Sequence, residues 1–250
     1  MNQWVGRILL VVLVGTIIIL GVSGCMNKNK EQQTEENKPT PEVIKEWVLT
    51  HLQEKYGEEF VPVSFSGSSF AYPYNQMYLY PKNGAKSDRF EARIVINKDG
   101  TYNISDGYFG ILIAPEYAKV VSGFIGEIYK DFKFSVDFGE GVLPDRLNKN
   151  TKLEETYSEN EYFKAQITVF VKEDSANGID TMDSLKKIAG KMIEKKLVGN
   201  VMIYIVKNGM FDSITMETLN EVNSINKGEY FLYDYKIIMI GKDLKVFHME

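Results

Sequence analysis

The two histidines are the side chains best suited to proton transfer or metal binding, because imidazole changes charge near neutral pH and ligates metals. His51 lies among the apolar residues of a predicted helix, and His248 lies two residues before the end of the chain. A zinc site normally draws three or four ligands from histidine, cysteine and carboxylates, and neither histidine has a partner at helical spacing. We therefore predict a partly buried, structural His51, no metal site and no bound cofactor.

Serine nucleophiles need a base at a fixed spacing. Ser-x-x-Lys, the pattern of penicillin-recognising enzymes, occurs at 184–187 and again at 224–227, as chance produces in a lysine-rich chain. Neither copy is accompanied by Lys-Thr-Gly or Ser-Asp-Asn, and Gly-x-Ser-x-Gly is absent. Paired carboxylates such as Asp137 and Glu140 could serve a glycosidase, but in a chain with 34 acidic residues their proximity in sequence decides nothing. No catalytic residue is predicted.

The one cysteine, Cys25, follows an apolar segment near the N-terminus. Residues 8–22 carry no charge and come after a short, positively charged start, which is the pattern of an export signal. Val22-Ser23-Gly24-Cys25 then resembles the lipobox of bacterial lipoproteins, which consists of an aliphatic residue, two small residues and a cysteine. The resemblance implies a diacylglyceryl thioether on Cys25, made after export.

The same resemblance implies cleavage between Gly24 and Cys25, so that residues 1–24 are a signal peptide. The mature protein would be held on the extracytoplasmic face of the cell membrane, since two acyl chains suffice for stable anchoring. An uncleaved membrane helix is the alternative, because residues 8–27 are uncharged and long enough to span a bilayer. Both alternatives tether the protein to a membrane.

Polar segments divide the rest of the chain. Residues 25–40 contain almost no apolar side chain and are predicted to be a flexible linker. We predict an N-terminal subdomain at 41–144, a polar connector at 145–160 and a C-terminal subdomain at 161–250. The alternative is one domain in which the connector is a long surface loop.

Three helices are predicted from apolar spacing and terminal residues. Thr40-Pro41-Glu42 is typical of a helix start, and Gly57 is placed for a left-handed C-terminal cap. Pro115 is predicted to begin a second helix, and Asp180 or Thr181 a third.

Period-two alternation predicts strands between the helices. A hairpin is predicted at 90–104, and further strands are predicted at 132–138, 163–171, 201–206, 229–240 and 244–247. Helices and strands in this order favour an α+β fold with antiparallel sheets and about three helices. Regular strand–helix alternation is missing, which disfavours a doubly wound nucleotide-binding sheet.

Several short segments carry a second resemblance. The segments EKYGEEF, RFEARIVINKDG, ISDGYFG and PEY resemble small exported lipoproteins of Gram-positive bacteria whose function is uncharacterised. The resemblance spans 42–138 and implies an exported α+β protein. It implies no functional site.

Aromatic residues are the most unusual local feature. Tyrosine has an apolar face and a polar tip, which suits a surface that binds a glycan or a protein. The predicted binding surface consists of Phe70, Tyr72, Tyr74, Tyr78, Tyr80 and Tyr108. The alternative is that these rings pack against the sheet as part of the core, and serines and glycine around 66–75 predict a loop.

The net charge of −5 and the presence of only four arginines disfavour nucleic acid as a partner. The sequence favours a lipid-anchored binding or interaction protein of the bacterial cell envelope, with an envelope protein or glycan as partner. An envelope enzyme acting on wall glycan or peptide through carboxylates is the second hypothesis. A solute-binding lipoprotein of a transporter is the third.

Overall fold

The structure is a computed structural model that describes residues 39–249. In this range the chain forms six α-helices and nine strands, and the strands make two sheets that do not close into barrels. The predicted α+β class is confirmed. From Lys45 on, the chain forms one compact unit.

The three longest helices correspond to the three predicted ones. The helices are α1 (Pro41–Tyr56), α2 (Tyr108–Gly126), α3 (Glu173–Ala176), α4 (Thr181–Glu194), α5 (Met216–Glu221) and α6 (Lys227–Tyr230). α1 begins at Pro41 as predicted, and Gly57 after it has a φ of +74°, the left-handed conformation expected of the cap. Asp180 caps α4, since its Oδ1 accepts a hydrogen bond of 2.8 Å from the N–H of Asp183.

The predicted start of the second helix at Pro115 is wrong. α2 begins seven residues earlier, at Tyr108, whose N–H donates to Oδ1 of Asp106 over 2.9 Å. Pro115 lies inside the helix on an exposed position, and its missing N–H leaves the carbonyl of Ile111 without its helical partner. The carboxylate before the helix, rather than the proline, sets its start.

α2 is also long and apolar enough to span a membrane by length and composition. Its buried residues Ile113, Tyr117, Val121 and Ile125 recur at helical spacing and belong to the main core. The core helix of a soluble protein passes the same test, so its composition alone does not place it in a membrane.

Sheet 1 consists of four strands in chain order, all antiparallel. They are β1 (Phe60–Ser66), β2 (Asn75–Pro81), β3 (Phe90–Ile96) and β4 (Tyr102–Asp106). The predicted hairpin corresponds to β3 and β4. α1 packs on this sheet, where Trp47 stacks on Tyr102 with ring centroids 4.5 Å apart.

Sheet 2 consists of five strands and contains one parallel pair. Its strands are β5 (Phe132–Asp137), β6 (Ala165–Lys172), β7 (Gly199–Val206), β8 (Lys236–Ile240) and β9 (Val246–Met249). β6 and β7 are parallel and α4 connects them, whereas the other three pairs are antiparallel. The order of strand, helix and strand here was predicted, but the parallel pairing of β6 with β7 was not.

The strands of sheet 2 come from both sides of the predicted connector. β5 lies before the polar stretch 145–160 and β6 after it, and the two strands pair along the whole length of β5. The step from one sheet to the next therefore lies between β4 and β5. The long strand predicted at 229–240 is wrong in its first half, where α6 and a loop precede β8.

Two hydrophobic cores lie on opposite faces of sheet 2. Alternate side chains of β7, Val201, Ile203 and Ile205, belong to the main core with α2 and α4. Val206 and the ring of Tyr204 belong to a smaller core on the other face. Phe170 of β6 also belongs to this smaller core, and the segment 207–235 contributes its other side chains.

Candidate functional site

A large cavity lies beside the smaller core of sheet 2. It has a volume of about 740 Å³, within the usual range of ligand pockets. We call it the aromatic groove and define it by twelve lining residues: Tyr204, Leu219, Val222, Asn223, Ser224, Lys227, Gly228, Phe231, Leu232, Tyr233, Asp234 and Tyr235. Only Tyr204 comes from a strand, and the other eleven come from the segment that crosses this face.

Backbone hydrogen bonds fix that segment against β7. The N–H of Lys207 donates to the carbonyl of Tyr230 over 2.9 Å, and the N–H of Leu232 donates to the carbonyl of Ile205 over 3.0 Å. Phe231 also forms an isolated antiparallel bridge with Val206. The groove is therefore built on the sheet rather than on a free loop.

Four aromatic rings line the groove. The ring centroid of Tyr204 lies 4.9 Å from that of Phe231 and 5.2 Å from that of Tyr235, with tilts of 42° and 44°. The hydroxyl of Tyr233 lies 2.8 Å from Oγ1 of Thr181 at the start of α4, and this hydrogen bond fixes the Tyr233 side chain. Burial raises the pKa of Tyr204 above the usual value, and the neighbouring Tyr235 adds to this effect.

Sequence analysis missed this groove. The strand predicted at 229–240 includes residues 230–235, YFLYDY, although their aromatic residues do not keep to every second position. Four aromatics around Asp234 in a segment without strand alternation were the available signal. The groove itself could not be predicted, because Tyr204 is distant in sequence from the other residues that line it.

The predicted aromatic surface is divided by the structure. Phe70 is fully exposed, Tyr72 is 61% exposed, and both lie in the loop between β1 and β2, as predicted. Tyr74 lies 5.9 Å from Tyr72, centroid to centroid, and the guanidinium of Arg93 covers its ring at 4.7 Å. Tyr72 and the half-buried Tyr74 therefore form a contacting pair, and Phe70 lies exposed in the same loop.

Tyr78 and Tyr80 lie further along, on β2. Both are half-buried and alternate with Met77 and Leu79, which are buried in the core. The guanidinium of Arg89 covers the ring of Tyr78 at 4.6 Å. These two tyrosines therefore share one face of β2, and Tyr78 lines a cavity between sheet 1 and residues 136–141.

Tyr108 does not belong to any surface. It is 3% exposed, its ring packs edge-on against Tyr56 and Phe60, and its hydroxyl donates to Glu58 over 2.8 Å. Burial, followed by the interaction with Glu58, raises the pKa of the Tyr108 phenol. Its place in the predicted binding surface is corrected to a place in the core, because it begins α2 where that helix meets sheet 1.

A second, smaller cavity of about 330 Å³ lies between sheet 1 and residues 136–141. Asp137 and Glu140, the carboxylates considered for a glycosidase, both line it and are both exposed. Glu91 also lines it but is buried and paired with the guanidinium of Arg93. The structure thus brings these carboxylates together at one cavity.

A polar cluster joins α1 to the end of β4. Asp106 is fully buried and accepts hydrogen bonds from the Tyr56 hydroxyl over 2.7 Å and from the Lys55 ammonium over 2.8 Å. Burial, and then the charge of Asp106, raise the pKa of Tyr56. Nε2 of His51 is buried beside the cluster and has no hydrogen-bond partner among the described residues.

This cluster is the group in the described chain that could hold a metal ion. Ligand atoms of His51, Asp106 and Asp145 all lie within 4.8 Å of one another. The ammonium of Lys55 lies 3.5 Å from Asp145 as well as 2.8 Å from Asp106, so a cation already stands between the carboxylates. A divalent ion would have to displace it.

The other residues singled out from the sequence are scattered. Ser184 is buried and donates its hydroxyl to the carbonyl of Asp180 over 2.9 Å, whereas Ser224 and Lys227 line the aromatic groove. Gly24 and Cys25 lie outside the described residues, so lipidation stays a prediction.

Comparison with known proteins finds no matching family model and no matching curated protein. Among solved structures, a DUF5037 family protein from Ruminococcus gnavus is similar over 81% of this chain and 94% of its own, with 17% identity and a TM-score of 0.41. A likeness of this degree assigns no function.

Proposed function

We propose that the protein is a lipid-anchored extracytoplasmic binding module of the bacterial cell envelope, and that the aromatic groove is its ligand site. The pattern Val22-Ser23-Gly24-Cys25 supports the anchor. The groove supports the binding role and is the observation that carries the proposal, because it combines a ligand-sized volume with aromatic rings and a few polar groups.

The surroundings of the carboxylates favour binding over catalysis. Asp106 already accepts hydrogen bonds from three donors, those of Lys55, Tyr56 and Tyr108. Oδ1 of Asp137 accepts the N–H of Gly139 over 3.1 Å, which closes a turn. The carboxylates of Asp106 and Asp137 therefore both take part in hydrogen bonds that stabilise the fold.

A soluble digest of Gram-positive cell wall provides the test, because it contains glycan and peptide fragments together. The full-length protein in mild detergent should gain thermal stability when the digest is added, since a ligand that binds only the folded state stabilises it. Tyr235→Ala should remove most of this gain. Tyr162→Ala provides the matched control, because Tyr162 is a similarly exposed tyrosine outside the groove.

An equal gain in both variants would contradict binding in the groove. No gain in the wild type would contradict a ligand from the cell wall. Cleavage of the fragments during incubation would contradict a purely binding role and favour an envelope enzyme.

A further inference from the structure

The aromatic groove presents rings that are only half covered. Tyr233 is 45% exposed and Tyr235 is 47% exposed, whereas Phe231, which also lines the groove, is buried. Half-exposed tyrosine rings offer apolar surface that borders on water. A ligand that contacts them must combine apolar patches with groups that stay hydrated.

The rings are also held in place before any ligand arrives. Tyr204 is fixed by β7, and Tyr233 is fixed by its bond to Thr181. Backbone bonds to the same strand hold the chain next to Phe231. Because these side chains lose little freedom on binding, a weakly hydrophobic ligand can still be retained.

The charges of the groove balance each other. The ammonium of Lys227 lies 2.7 Å from Oδ1 of Asp234, and both side chains are at least half exposed. An anionic ligand would compete with Asp234 for the ammonium, and a cationic ligand would compete with Lys227 for the carboxylate. An uncharged ligand with hydroxyl groups can bond to both without breaking the pair, since the carboxylate accepts and the ammonium donates.

We infer that the ligand of the aromatic groove is an uncharged saccharide, an inference that rests on the proposed function. A pyranose ring has faces made of C–H groups and a rim of hydroxyls, which match the tyrosine rings and the Lys227–Asp234 pair respectively. A fatty chain could form no hydrogen bond with this exposed ion pair and would need a closed, dry cavity instead.

The test uses defined probes with the full-length protein: the N-acetylglucosamine tetramer, maltotetraose, and an alanine-lysine-alanine tripeptide as a non-saccharide. We expect calorimetric titration to show binding of at least one tetrasaccharide and none of the tripeptide. Tyr235→Ala and Asp234→Asn should each weaken that binding at least about tenfold, which corresponds to about 1.4 kcal/mol. Tyr162→Ala should leave it unchanged.

Saturation-transfer NMR on the wild type gives a readout that does not depend on whether a variant folds. Saturation should be strongest at the ring C–H protons of the sugar. Binding of the tripeptide instead of the sugars, or a wall digest that stabilises the protein while neither tetrasaccharide binds, would overturn the saccharide inference and leave the binding function standing. Failure of the digest itself would count against the function.

Discussion

The ammonium of Lys55 lies 2.8 Å from Oδ2 of Asp106, although 51 positions separate the two residues in the chain. Lys55 belongs to the last turn of α1, and Asp106 ends β4. The backbone carbonyl of Asp106 also accepts the N–H of Leu143 over 2.9 Å. One residue thus links the first helix, sheet 1 and the segment that follows β5.

Replacing Lys55 by methionine should strongly destabilise the protein. The carboxylate of Asp106 would remain buried without its cation, and removal of one partner of a buried pair costs about 3–5 kcal/mol. Urea denaturation followed by circular dichroism measures this loss.

Lys82→Met is the matched control for this measurement. Lys82 pairs with Glu59 over 2.6 Å, but both side chains are largely exposed, so no measurable change in stability is expected. Equal effects of the two substitutions would show that the Lys55 pair stabilises no more than a surface contact.

His51 should make the stability depend on pH. Burial is the main cause that lowers its pKa below 6.5, and Lys55 adds to this, against the opposing effects of Asp106, Asp145 and Glu54. The unfolded chain therefore binds a proton near pH 6.5 while the folded protein does not. The free energy of unfolding should fall as the pH decreases below this value, and level off below the pKa of the folded state.

Denaturation of the wild type and of His51→Gln at about pH 7.5 and about pH 5.5 measures this contribution. The wild type should lose more stability between the two pH values than the variant does. His248 is present in both proteins, so its titration cancels. The same loss in both proteins would mean that His51 does not titrate differently on folding.

Tyr108 and Phe70 are predicted from the sequence to belong to one binding surface, but their replacement by alanine should affect the stability of the protein differently. Tyr108→Ala should cost about 3–5 kcal/mol, because it removes a buried ring from the packing with Tyr56 and Phe60. Phe70→Ala should leave the midpoint of thermal unfolding unchanged, because the ring is fully exposed. A stable Tyr108→Ala protein would contradict its place in the core.

Replacement by alanine should lower the stability at one glycine of α2 and its N-terminal cap and raise it at another. A Cβ atom on Gly107 would lie 2.5 Å from the carbonyl oxygen of Gly141, and overpacking of this kind costs about 1–3 kcal/mol. A Cβ atom on Gly123 meets nothing within 4 Å, and alanine there should stabilise α2 by about 0.5–1 kcal/mol. Thermal unfolding of both variants measures the difference, and stabilisation by Gly107→Ala would show that the backbones do not meet there.

The anchor can be tested by intact mass and membrane fractionation of the wild type and Cys25→Ala in a bacterium that processes lipoproteins. The wild type should have a mature mass beginning at an acylated Cys25. The variant should be unprocessed or released from the membrane. An uncleaved, unlipidated wild type would replace the lipid anchor by a membrane helix.

The predictions that were confirmed rest on local signals. Thr40-Pro41, Gly57 and Asp180 act on backbone groups within a few residues of themselves, so the limits of α1 and the start of α4 follow from the sequence. Alternation gave β3 and β4 in the same way. The predicted start of α2 was wrong although the contact between Asp106 and Tyr108 is just as local, because proline favours the first turn of a helix whereas Pro115 lies in the helix interior.

The remaining errors concern pairing between distant segments. The last six residues of β7 are all apolar, which is typical of a strand inside a parallel sheet, but the direction of β7 relative to β6 depends on how α4 packs. The aromatic groove depends in the same way on a contact between Tyr204 and residues 219–235. No local spacing encodes either arrangement.

The pairing of β5 with β6 across the polar stretch 145–160 sets an order of assembly. Sheet 1 can form as soon as its four consecutive strands are available. β5 can pair only when β6, which follows the polar stretch, is also available. In a chain that emerges N-terminus first, β5 would stay unpaired until β6 has emerged. A protease cut within 145–160 would leave this strand on the first fragment, and the second fragment could complete its sheet only by strand complementation in trans.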